Sequence, residues 1–128
     1  MKTITVNELH ALLRQEPRPL VIDVRTPAEY AEEHIDGALN IPLHDLRSAG
    51  LPAKHRRIYL LCHCGVRSNL AADQLAADGF ENLVVIKCGM LAWKEARLPV
   101  VERPAPQSTE AEPIPAEVRL AWYSRVRR

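Results

Sequence analysis

The residues with the greatest chemical potential lie in one short run, Cys62-His63-Cys64-Gly65-Val66-Arg67-Ser68. The run follows the apolar stretch Ile58-Tyr59-Leu60-Leu61 and leads into a pattern with helical spacing. A loop of this kind places Cys62 before a helix N-terminus, where unpaired backbone N–H groups and the helix dipole favour an anion. Those donors, together with Arg67 and a protonated His63, would stabilise a Cys62 thiolate and raise the nucleophilic fraction of the thiol. Gly65 lets the loop curl without a side chain filling the cradle. The expected chemistry is nucleophilic attack by sulfur, with residues 63–68 ringing the product. The competing reading of Cys62 is a small buried core thiol at a strand end. Arg67 has two readings as well: contact with an anionic substrate, or an ion pair with Asp23 or Glu29 that fixes the loop. Asp23 and Arg25, at the end of another apolar run, read as loop support.

These residues need a scaffold that brings several strand ends together. Leu20-Val21-Ile22-Asp23-Val24, Ile58-Tyr59-Leu60-Leu61-Cys62 and Leu83-Val84-Val85-Ile86 are short continuous apolar runs, as expected of strands covered on both faces. Helical patterns alternate with them. Asn7 is expected to cap a helix through Gln15, and Thr26-Pro27-Ala28-Glu29 predicts a capping box with proline at the first helical position. Ser68 is expected to open a third helix, with Leu70, Ala71, Leu75 and Ala76 on its apolar face and Gly79 as its stop. A short helix from about Gly89 would pack Leu91 and Trp93. This alternation predicts an α/β layered domain, a central parallel sheet flanked by helices, with ligands gathering beyond the carboxyl ends of the strands.

Composition bounds the remaining possibilities. The chain has 128 residues, with 17 Lys and Arg against 16 Asp and Glu, a net charge of +1. Such a balance gives no field to attract nucleic acid, and one domain of about 100 residues accounts for the length. Residues 1–100 are expected to form that domain. Residues 101–114, rich in proline, read as a linker, and residues 115–128 as a short basic amphipathic helix with Val118, Trp122 and Val126 along one face. That tail is a candidate dimer or partner contact. No apolar run approaches the ~20 residues of a membrane span, and polar residues follow Met1 closely, so no transmembrane segment and a cytoplasmic location are expected. Three cysteines without a secretory leader suggest free thiols. His10, His34, His44 and His55 have no ligand-like spacing, and no metal site is expected.

The motifs together resemble a single rhodanese-like domain, of the thiosulfate sulfurtransferase family. The resemblance rests on Val21-Ile22-Asp23-Val24-Arg25 with Thr26-Pro27-Ala28-Glu29-Tyr30, on His34 through Pro42, on Cys62 through Ser68, on Gly79-Phe80, and on Gly89 with Trp93. It covers nearly all of residues 1–100 in the family's order. It implies double displacement. Cys62 would take the outer sulfur of thiosulfate or a persulfide donor, and a thiol, cyanide or protein-cysteine acceptor would remove it, without a cofactor. His63, Cys64, Gly65, Val66, Arg67 and Ser68 would cradle the persulfide. The four residues between Cys62 and Arg67 make a narrower loop than the five of the phosphatases that share the fold, which favours sulfur over phosphate or arsenate. The other reading is a sulfur carrier or partner-binding module with little turnover of small donors. Cys64 and Cys88 depart from the pattern, Cys88 standing where many members have glycine. If the resemblance holds, the three thiols surround one pocket, and Cys64 or Cys88 either accepts the sulfur or closes a disulfide onto Cys62. In the plainer reading Cys88 is only a small replacement for glycine.

Overall fold

The computed structural model of the chain describes residues 2–51 and 54–102. In chain order the elements are β1 (Lys2–Ile4), α1 (Val6–Leu13), β2 (Leu20–Asp23), α2 (Pro27–Glu32), β3 (Glu33–His34) and β4 (Leu39–Asn40). After a 3-10 helix (Leu43–Ser48) come β5 (Ile58–Leu61), α3 (Val66–Ala77), β6 (Leu83–Ile86), α4 (Gly89–Glu95) and β7 (Val101–Glu102). Five strands form one parallel sheet in the order β1-β6-β5-β2-β4. The expected α/β layered architecture is therefore observed.

The apolar runs pack as strands because both of their faces are covered. Ile22, Val24, Ile58, Leu60, Leu83 and Val85 point to one side, against Ala71, Ala72 and Leu75 of α3 and Leu46 of the 3-10 helix. Val21, Tyr59, Leu61, Val84 and Ile86 point to the other, against Leu9 of α1 and Met90 and Trp93 of α4. The period of two along each strand thus feeds two cores at once. Register brings Asp23 level with Leu61, and Leu60 level with Val85. The loops after β2, β5 and β6 consequently emerge side by side at one edge of the sheet.

Several local expectations change. Helix α1 is capped by Thr5, not Asn7: the Thr5 hydroxyl accepts the Glu8 N–H while the Glu8 carboxylate accepts the Thr5 N–H, a complete capping box two residues earlier. Helix α3 begins at Val66, ahead of Ser68, because Gly65 takes the N-cap position with φ 109°. Its buried face is Ser68, Ala71, Ala72 and Leu75, which turns Leu70 outward. Leu91 is likewise exposed, and Trp93 alone of that expected pair is buried, its indole N–H donating to the Pro99 carbonyl. Thr26 and Glu29 form the predicted capping box, with Pro27 at the start of α2. Gly79, at φ 95°, ends α3 as expected, with the Phe80 N–H donating to the Leu75 carbonyl.

The first two residues of the expected linker, Val101 and Glu102, pair antiparallel with Glu33 and His34 as β7 and β3, because β3 offers backbone groups outside the main sheet. Residues 103–128, and with them the remaining linker and the helical tail, lie outside the described residues. Among the described residues no helix is long and apolar enough to cross a membrane.

Candidate active site

The loop after β5 is held from below by α4. The Met90 N–H donates to the Cys62 carbonyl at 2.8 Å and the Leu91 N–H to the His63 carbonyl at 2.9 Å. This approach requires a residue without a side chain at position 89, since a Cβ there would stand 2.0 Å from the Cys62 carbonyl oxygen. On this platform the Cys62 side chain is buried, and its Sγ accepts the Gly65 N–H at 2.9 Å. Ser68 Oγ lies 3.3 Å from the same sulfur and 3.1 Å from the Gly65 carbonyl. The serine has one proton for two acceptors. When Ser68 donates to Gly65, the thiol can donate to Ser68; when Cys62 is a thiolate, the serine proton turns to sulfur. The Gly65 carbonyl is not stranded by that turn, because Asn69 donates to it through both its side-chain amide, at 2.7 Å, and its backbone N–H, at 3.0 Å. No side chain caps α3, and the first-turn N–H groups of Val66, Arg67 and Ser68 have no intrahelical acceptor. These are donors suited to an anion.

Arg67 reaches away from the thiol. Its two terminal nitrogens grip both Glu29 oxygens, at 2.6 and 2.9 Å, in a bidentate pair. Of the two carboxylates considered from the sequence, Glu29 is the partner. Its hydrogen bond from Arg67, helped by those from Thr26 and opposed by partial burial, holds the Glu29 carboxyl down at about 2. The same hydrogen bond raises Arg67 above its ordinary value, and the charge of Cys62 acts in the same direction. Glu29 thus both caps α2 and anchors the head of α3. Asp23 is engaged elsewhere: its buried carboxylate accepts the backbone N–H, Nε and Nη2 of Arg25. Arg25 then donates to the Glu33 carbonyl at 2.8 Å, which ties the end of α2 to the end of β2. Among the described residues Asp23 and Arg25 make no hydrogen bond to the thiol loop; Arg25 reaches the Glu29 carbonyl in α2, and the Asp23 charge acts on Arg67.

Comparison with known proteins bears on the same residues. The family profile for the Rhodanese-like domain matches residues 5–96. The chain belongs to the rhodanese-like domain family. An uncharacterized protein of Synechocystis is 40% identical over 91 residues, covering 70% of this chain and 51% of the relative. A sulfurtransferase of Allochromatium vinosum is 36% identical over 84 residues, covering 64% of this chain and 78% of that one. Among solved structures, a human single-domain sulfurtransferase superposes with a TM-score of 0.68 at 26% identity, over 74% of this chain and 96% of that one. The chain spans about half the length of the Synechocystis relative.

Within this rhodanese-like domain the remaining expected residues separate into two groups. His63, Cys64 and Val66 are exposed around the loop, whereas Gly65 and Ser68 are buried with Cys62. Cys64 and Cys88 line a groove with Thr3, Asn69, Ile86 and Lys87, and its wall includes Gly65, whose N–H donates to the buried Cys62 sulfur. All three cysteines are free. Asn69 escaped the sequence reading because an asparagine inside a helical pattern carries no signal until the carbonyl it serves is known. Gly89 entered as the start of a short helix and through the family resemblance, not as a contact; a glycine soon after an apolar strand is the available hint that two backbones meet there.

Proposed function

We propose that the protein is a sulfurtransferase in which Cys62 carries sulfane sulfur as a persulfide. The observation that supports this most is the buried Cys62 sulfur accepting the Gly65 N–H at the uncapped head of α3. In the first step the Cys62 thiolate attacks the outer sulfur of thiosulfate; the S–S bond of the donor breaks and sulfite leaves with the electron pair. The persulfide's terminal sulfur is then anionic, and the loop and first-turn N–H groups of residues 63–68 are the donors that stabilise it, as an oxyanion hole stabilises oxygen. In the second step an acceptor lone pair attacks the terminal sulfur and Cys62 departs as a thiolate. With cyanide the product is thiocyanate; with a small thiol or a protein cysteine it is a new persulfide. The Ser68 proton follows the charge, turning to sulfur when Cys62 is a thiolate and to the Gly65 carbonyl otherwise.

Arg67, spent on Glu29, is a positioning residue in this scheme. It holds the first turn of α3 against α2 and adds positive charge near the thiol without contacting it. The free thiols fit a reducing compartment, and we place the protein in the cytoplasm on that ground.

The test is to incubate the protein with thiosulfate, locate one added sulfur atom on Cys62 by mass spectrometry, and discharge it with cyanide. Cys62→Ser is expected to abolish both steps, a loss of at least about a thousandfold. Wild-type protein that gains no sulfur, or Cys62→Ser protein that turns over undiminished, would defeat the proposal. Slow discharge to every small acceptor, with Cys62 fully loaded, would instead mark a carrier module.

A further inference from the structure

The groove beside the thiol loop contains two cysteines that the reaction above does not use. Cys64, two residues after Cys62, and Cys88, two residues after β6, are both exposed and both free. They line the same open groove of about 310 Å³. They share that groove because β5 and β6 are neighbours in register, so that the loops leaving them run side by side. Gly65 joins the groove to the buried thiol: its N–H donates to Cys62 Sγ, and it also forms part of the groove wall. On the groove side, a Cβ at Gly65 would lie 4.0 Å from the Cys88 backbone nitrogen, which measures how closely the two loops approach. Cys88 adopts φ 57°, a conformation that favours glycine, yet it carries a thiol. Lys87 adds a positive charge to the same lining, suited to a sulfur anion. Cys62 itself is 1% exposed, so a bulky acceptor has little direct access to its Sγ, whereas the groove thiols are open to solvent.

We propose that Cys64 and Cys88 form an internal acceptor dithiol that reduces the sulfane sulfur of Cys62 to sulfide. The inference rests on the sulfur-transfer reading above. The Cys64 thiolate attacks the terminal sulfur of the Cys62 persulfide, the S–S bond to Cys62 breaks, and Cys62 leaves as a thiolate. Cys64 now holds the persulfide. The Cys88 thiolate then attacks Cys64 Sγ, forming the Cys64–Cys88 disulfide, and the terminal sulfur departs as HS⁻ with the bond's electron pair and a proton. Two electrons pass from the two groove thiols to the sulfane sulfur. An external dithiol, protein or small molecule, reopens the disulfide by exchange and is itself oxidised.

The experiment uses the full chain, reduced and then freed of reductant under anaerobic conditions, with thiosulfate as the donor. Sulfide is measured alongside a non-reducing peptide map. Wild-type protein is expected to release about one sulfide per chain and to carry a Cys64–Cys88 disulfide. Cys88→Ser is expected to trap the sulfur on Cys64 and to lower sulfide release about tenfold; Cys64→Ser is expected to leave the sulfur on Cys62. Adding dithiothreitol should convert the single release of the wild type into continuous turnover. A wild-type chain that keeps its persulfide on Cys62, with Cys64 and Cys88 still thiols and no sulfide formed, overturns the inference and leaves the sulfurtransferase reading standing. A disulfide linking Cys62 to either groove cysteine overturns the assignment of the pair. No sulfur on any cysteine of any variant overturns the sulfurtransferase reading, and the inference with it.

Discussion

Two carboxylate–guanidinium pairs stand near the thiol loop, and they differ in what surrounds them. Asp23 with Arg25 is almost wholly enclosed, with side chains 0% and 5% exposed, and the Arg25 guanidinium donates to the Asp23 carboxylate, to the Glu29 carbonyl in α2 and to the Glu33 carbonyl in β3. Asn40 completes that region by donating to the Asp23 and Arg25 carbonyls. Glu29 with Arg67 is a third exposed on both sides and crosses between elements 38 residues apart in sequence. The first pair is committed to keeping the ends of β2 and α2 together, because neither charge can return to water without breaking the packing. The second is available to set the direction of the reactive loop, since water lowers the cost of separating its charges. Burial therefore assigns the first pair to stability and the second to positioning.

The largest expected effect comes from breaking the enclosed pair. Arg25→Ala would leave the Asp23 carboxylate buried with no cation, and a cost of about 3–5 kcal/mol in unfolding free energy is expected from urea denaturation. Replacing both residues with apolar ones, Asp23→Leu with Arg25→Met, should recover much of that loss because no lone charge remains. A double variant no more stable than Arg25→Ala would show that the pair does more than neutralise itself. Gly89→Ala comes next, since its methyl group would collide with the Cys62 carbonyl. A loss of about 2 kcal/mol is expected, with slower sulfur loading on Cys62, because the loop must lift from α4 to make room. Normal stability together with normal loading would mean that the loop tolerates displacement, and the platform role of α4 would have to be abandoned.

The same contrast explains what could be read in the sequence. Strands β2, β5 and β6 were legible because both of their faces are apolar, a pattern that does not depend on partners. The Thr26–Glu29 capping box was legible because its two hydrogen bonds are local. Strands β1 and β4 left no such mark: they are two or three residues long and sit at the sheet edges. Leu70 and Leu91 were misplaced on buried faces because helical spacing identifies neighbours along a helix without saying which side meets the sheet. Arg67 had two candidate carboxylates, and only the position of α2, fixed in turn by Arg25, selects Glu29. The placing of Cys64 and Cys88 on one groove depends on the pairing of β5 with β6, so it could not be read from the loop's own residues.

Arg67→Ala tests the positioning side of the comparison, and a smaller cost in stability is expected, about 1 kcal/mol after allowance for solvent screening of a pair one-third exposed. Loading of Cys62 by thiosulfate is expected to fall about tenfold, because the head of α3 loses its anchor to α2. A stability loss equal to that of Arg25→Ala, with loading unchanged, would reverse the two roles. The effect also has a pH signature. Glu29 sits at about 2 in the folded protein against an ordinary value of 4.5. A lowered carboxyl value means that the folded state binds its proton less readily than the unfolded chain does, so the pair's contribution is complete above 4.5 and disappears as the pH falls through 2. The stability difference between wild type and Arg67→Ala should therefore be flat from pH 7 to about 5, shrink from about 4.5 downward, and vanish near 2. A difference that persists unchanged at the acid end would assign the loss to packing of the arginine stem and not to its charge.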